Sequence, residues 1–202
     1  MGQREQFVAK LCQVKRARGV RGATTQLPSP IDGIERVHKI TALGIIANDQ
    51  LTSTDHVSSL LASCWSLLYA LCVLRDHGLP TSSLHDVFRA TVVAKILYCA
   101  PAWYGFCSAA DLGKLESFLR RCKRTGYCKQ DMPTIAEQMN DADDKLFHSV
   151  IVDKHHLLQC FITDNDSVYN LRPRRHNKTL IEKTTDLNTR NFLLQMLYKN
   201  SY

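Results

Sequence analysis

From Asp55 onward apolar residues return at spacings of three and four: Val57, Leu60, Leu61, Cys64, Leu68, Leu71 and Cys72 form one stripe. That is the period of an amphipathic helix. Gly78 and Pro80 supply its stop. A second helix is predicted from "TSSLHDVF", with Thr81 or Ser82 as cap and Val87, Phe88, Val92, Ile96 and Leu97 as its apolar side, until Pro101 interrupts it. A third reads "DLGKLESFLRRCKRTGY", opened by Ser108 and Asp111 at capping-box spacing, with Leu112, Leu115, Phe118, Leu119 and Cys122 on its dry face. Thr134 and Glu137 after Pro133 start another helical segment. The three aspartates within 141–144 mark the start of a further one, where the helix dipole favours acids. "NTRNFLLQMLYKNSY" closes the chain with a short helix bearing Phe192, Leu193, Met196 and Leu197.

Ahead of the helices the pattern changes. "IERVHKITALGII" alternates in part and is rich in β-branched residues, which predicts one or two short strands with Gly44 at a bulge or close approach. Residues 1–30 hold three Gly, two Pro and no sustained periodicity after Leu11. The expected fold is mainly α: a helical bundle, one or two short N-terminal β-strands and a basic, poorly ordered arm. The expected organisation is an arm or linker over 1–30, strands within 31–50, a helical domain over 51–130, and a helical extension over 131–202 containing a loop at 163–187.

A chain of 202 residues with 45% hydrophobic content can bury one real core. Its net charge of +7 is unevenly spread. Residues 1–30 carry six Lys or Arg against Glu5 alone, and residues 171–202 carry seven against two acids. Clustered cations favour an anionic partner through counterion release; a solvated, solubilising arm is the competing explanation. The N-terminus has no apolar stretch suited to secretion, no run of about 18 apolar residues is evident, and Gln6 stands where myristoylation needs Ser or Thr. The expectation is an intracellular protein, cytoplasmic or nuclear, neither secreted nor membrane-bound. Its eight cysteines are then read as reduced thiols.

Known catalytic signatures are missing: no G-x-x-x-x-G-K-[ST], G-x-S-x-G, H-E-x-x-H or C-x-x-C occurs. Cys64/Cys72 and Cys99/Cys107 are too widely spaced on a helix to share a zinc ion, and adjacent His155 and His156 diverge on one. The 141–144 acids suggest Mg²⁺ less well than exposed helix-start residues. In "ILYCAPAWYGF", Tyr98, Trp103, Tyr104 and Phe106 suit either base stacking or the sealing of a helix end, and the burial tendency of large rings favours the core. On the third helix, Arg120, Arg121 and Arg124 project opposite the dry face, with Lys123 to one side.

Five segments in order resemble one known family: "LPSPIDGIERVHKITALGI", "DHVSSLLASCWSLLYALCVLRDHGLP", "LHDVFRATVVAKILYCAPAWYGF", "SAADLGKLESFLRRCKRTGYC" and "YNLRPRRHNKTL…RNFLLQMLYKNSY". Together they resemble the carboxy-terminal end of reverse transcriptases of non-LTR, LINE-type retrotransposons of the jockey-like group. The resemblance implies palm-end strands around Ile34–Ile46, a helical thumb-like domain over residues 52 to about 127, and a carboxy-terminal extension. It also implies weak, sequence-independent backbone contact with RNA, RNA–DNA or DNA duplex. Arg120, Arg121, Lys123 and Arg124 would make the first phosphate contacts, and Arg172, Arg174 and Arg175 the second set. The family's metal-binding palm aspartates have no counterpart here, because "ADD" at Ala142–Asp144 lies after the thumb. The expectation is therefore a non-catalytic fragment of an RNA-directed DNA polymerase, with no cofactor of its own and Mg²⁺ belonging only to the intact parent. No small-molecule substrate is expected. The alternatives are a helical protein-interaction module and, behind it, a zinc or thiol enzyme.

Overall fold

Two short strands open the structure, a computed structural model that describes residues 37–165 and 176–199. Strand β1 (Lys39–Ala42) pairs antiparallel with β2 (Ile45–Asn48), in the register Lys39 to Asn48 and Ala42 to Ile45. Leu43 and Gly44 make the two-residue turn, both at positive φ (51° and 79°), the twist that a tight hairpin needs. Gly44 is thus the hairpin turn rather than a bulge. Ile45 points into the core, whereas β1 is mostly exposed and no third strand joins the hairpin among the described residues.

Helix α1 (Thr54–Asp76) buries Val57, Leu60, Cys64, Leu68 and Leu71 of the predicted stripe, while Leu61 and Cys72 are half-buried. It ends as predicted at Gly78, whose φ of 86° permits Gly78 N–H to reach Arg75 O and Leu79 N–H to reach Leu74 O. Contrary to the sequence expectation, α1 is long and apolar enough to cross a membrane by length and composition. Ala62, Leu67, Ala70, Cys72, Val73 and Leu74, outside the buried stripe, raise the average. The buried stripe packs against the other helices, and most of the rest of α1 lies outside the core.

The second helical stretch has three parts: α2 (Thr81–Phe88), a π-helical turn (Arg89–Val93) and α3 (Ala94–Leu97). Pro80, extended and with no side-chain cap, occupies the N-cap position expected of Thr81 or Ser82. The stretch breaks at Tyr98 and Cys99, where φ reaches 50°, two residues before Pro101. Pro101 instead sits in the first turn of α4 (Ala100–Trp103), where a missing N–H costs nothing. Trp103 closes the break by donating its indole N–H to Tyr98 O at 3.1 Å.

Helix α5 (Ala109–Arg124) begins at Ser108, whose Oγ accepts the Asp111 amide. Helix α6 (Ile135–Val152) begins with the full capping box of Thr134 and Glu137. The 141–144 acids lie in the middle of α6 and not at the start of another helix, because Met139, Phe147 and Val150 carry one buried stripe straight through. Short helices α7 (Asp186–Thr189) and α8 (Phe192–Tyr198) end the described chain, with Phe192, Leu193, Met196 and Leu197 buried. The result is a mainly helical bundle with one N-terminal hairpin. Its core runs from Val57 and Leu71 through Phe88, Trp103 and Leu119 to Met139 and Leu197. The basic arm expected over 1–30 lies outside the described residues.

Candidate nucleic-acid interface

Helices α1 and α5 run side by side in the same direction, and their amino ends are tied together by one buried carboxylate. Asp111 accepts from Thr54 Oγ1 (2.8 Å), Ser108 Oγ (2.7 Å) and Lys114 Nζ (3.0 Å). Burial alone would raise its pKa, but these bonds outweigh that penalty and hold it at about 2. Farther along, Trp65 meets Phe118 edge-on at 4.9 Å. At the carboxy ends Arg75 donates to Thr125 O at 3.1 Å and lies 4.6 Å over the Tyr127 ring.

Leu115, Phe118, Leu119 and Cys122 fill the dry side of α5, so Arg120, Arg121 and Arg124 are exposed on the opposite side. None of the three forms an ion pair among the described residues. Arg121 stacks over Trp65 at 5.0 Å, a cation–π contact that aims a guanidinium without consuming its charge. Lys123 is placed differently: half-buried, it donates to Met132 O at 2.5 Å and anchors the loop before α6. Cations here also suit the helix dipole, which accounts for part of their placement. Arg172, Arg174 and Arg175 lie outside the described residues.

A groove of about 260 Å³ separates α1 from α5, lined by Trp65, Tyr69, Cys72, Arg121, Thr125 and Tyr127. Tyr69 is 74% exposed. As the burial tendency of large rings predicts for Tyr98–Phe106, Trp103 and Phe106 are buried and Trp103 packs on His56, which removes them from base stacking. The rings beside the arginines come from α1 instead. The available signal was Trp65 and Tyr69 four residues apart and off the buried stripe.

The remaining candidates do not converge. Asp141 pairs with Lys145, Asp144 pairs with Lys199, and Asp143 is buried. His155 and His156 follow α6 rather than lying on a helix, and the His156 ring accepts from Leu158 N–H. Cys64, Cys107 and Cys122 are thiols that burial pushes up to about 11, 12 and 12. Among the described residues no group of three His, Cys, Asp or Glu is arranged to hold a metal ion.

The class that these observations define is a helical bundle with a guanidinium-bearing helix and an aromatic groove beside it. Compared with known proteins, the chain matches no family model, no curated protein and no solved structure. The labels retrotransposon product, transposable element and reverse-transcriptase-like polymerase fragment are accordingly corrected, because those comparisons give the chain no link to that family.

Proposed function

We propose that this chain is a non-catalytic module that binds RNA, RNA–DNA or DNA duplex weakly and without sequence preference, through the phosphate backbone. The observation that carries this reading is the set Arg120, Arg121 and Arg124, exposed together on one capped, core-packed helix and free of ion pairs among the described residues. Helix-borne guanidiniums at fixed spacing suit a repeating line of phosphates.

The test is fluorescence anisotropy with a labelled RNA–DNA duplex across a salt series. Replacing Arg120, Arg121 and Arg124 together by Ala should weaken binding and lower the log–log salt slope by about 2.7, at roughly 0.9 per lost contact. Unchanged affinity and slope would eliminate the assignment. A second reading has one observation in its favour: Tyr69, Val73 and Leu74 leave part of α1 apolar and exposed at 74%, 39% and 43%. A protein-interaction module built on that face would bind its partner with little dependence on salt.

A further inference from the structure

On the other flank of α1 lies a cavity of about 440 Å³, within the range of small-molecule sites. It is bounded by Ser59 and Ser63 of α1, by Ala90, Thr91, Ala94 and Lys95 of the π turn and α3, and by Gly44 and Tyr98. Small side chains on both helices keep it open. One of its walls is a π-helical turn, a distortion that costs regular hydrogen bonding and is concentrated at functional sites.

A second, independent observation marks it as built for a ligand. His56 lines the cavity but is only 6% exposed. Its Nδ1 accepts the Ile46 amide at 3.5 Å, which places the proton of the neutral ring on Nε2. Burial lowers its pKa, favouring that neutral form. The Nε2–H then has no hydrogen-bond acceptor among the described residues; the ring packs edge-on against Trp103 at 5.0 Å, and Nε2 is not sealed from solvent, which leaves it open to the cavity. The lining holds this donor, the Lys95 ammonium and the Ser59 and Ser63 hydroxyls, and it contains no carboxylate. Such a donor-rich, singly cationic set selects an oxyanion, and the volume beyond a phosphate leaves room for a hydroxylated body.

We propose that this cavity binds a small phosphomonoester such as a sugar phosphate, with Lys95 and His56 Nε2–H on the phosphate and Ser59 and Ser63 on the hydroxylated part. This departs from the sequence expectation of no small-molecule ligand and does not depend on nucleic-acid binding. The experiment titrates ribose 5-phosphate, inorganic phosphate and ribose separately into the full chain, following the His56 imidazole by heteronuclear NMR. Ribose 5-phosphate should shift the His56 Nε2 resonance saturably, with inorganic phosphate weaker and ribose without effect. Lys95 is exposed, so Lys95→Gln should fold normally and weaken ribose 5-phosphate binding at least about tenfold, the loss expected for one charged hydrogen bond. Ser63→Leu, which fills the cavity, should abolish it. The proposal is overturned if ribose 5-phosphate leaves His56 unshifted, if ribose binds equally well, or if Lys95→Gln binds as the parent does.

Discussion

Asp143 is the residue whose protonation should govern stability near neutral pH. It sits on the inner side of α6 at 7% exposure, and its Oδ1 has no hydrogen-bond partner among the described residues. Burial raises its pKa from 3.8 to about 7, Lys199 opposes the shift, and Asp144 reinforces it. The folded chain therefore holds a proton that the unfolded chain releases near pH 4. Stability from this group is fully present below pH 4 and is lost as pH rises to about 7, because the native state then binds more protons than the unfolded one. At about 1.4 kcal/mol per unit, the whole loss is on the order of 4 kcal/mol, and the part falling between pH 5 and 8 is about 3 kcal/mol.

The assay is urea unfolding of the parent and of Asp143→Asn at pH 5 and pH 8. His56 must be cancelled by the comparison, since burial lowers its pKa and its contribution runs the other way, lost as pH falls below its ordinary value. Asp111 drops out of the window, because its pKa of about 2 confines its effect to more acid conditions. The variant should gain on the parent by about 3 kcal/mol on going from pH 5 to pH 8. A difference between the two proteins that is the same at both values would refute the assignment of a buried, protonated carboxyl.

Other consequences are direct. Gly105→Ala should destabilise by about 2 kcal/mol in chemical unfolding, since a Cβ there would collide with the Arg190 carbonyl and force the α7–α8 segment off the turn after α4. Thr134→Ala removes the Oγ1 that accepts the Glu137 amide, leaving the Thr134 N–H bond to the Glu137 carboxylate, and should cost about 1 kcal/mol by the same measurement, with a loss below about 0.3 counting against the cap. In a Cys12→Ser background, a thiol reagent should modify exposed Cys160 first. Cys64 and Cys122 should react only on unfolding, and early labelling of either would contradict its burial and raised pKa.

Period and punctuation made much of this fold legible. The stripe of α1, the cap at Ser108, the Thr134–Glu137 box and the apolar side of α8 all follow from spacing alone. The misplacements share a cause, which is that local signals are overridden by packing. Pro101 looked like a helix breaker, yet the break belongs to Cys99 and the proline begins the next turn. The 141–144 acids looked like a helix start because nothing in their composition reveals that Met139 and Phe147 share one buried side. Of the interface, the arginine face was readable from helical angle. Its aromatic companions were not, because Trp65 and Arg121 meet only when two helices lie side by side. The cavity on the other flank had no sequence signal, since a π turn and an unpartnered ring nitrogen are properties of the folded chain.

The two proposed sites share α1, and its geometry decides whether they interfere. Successive residues turn by about 100°, so Trp65 and Tyr69 lie about 200° and 240° around the axis from Ser63. The groove and the cavity therefore occupy opposite flanks, with the buried stripe of Cys64 and Leu68 between them. Substitutions that share no contacts act independently, so each site should be removable without the other. Lys95→Gln should leave the salt slope for duplex within error of the parent, and the triple arginine-to-alanine variant should bind ribose 5-phosphate unchanged. A crossed effect above about twofold in either direction would mean that a phosphorylated ligand on one flank and a nucleic-acid backbone on the other compete for a single surface. The placement of the two sites on opposite flanks of α1 would then be wrong.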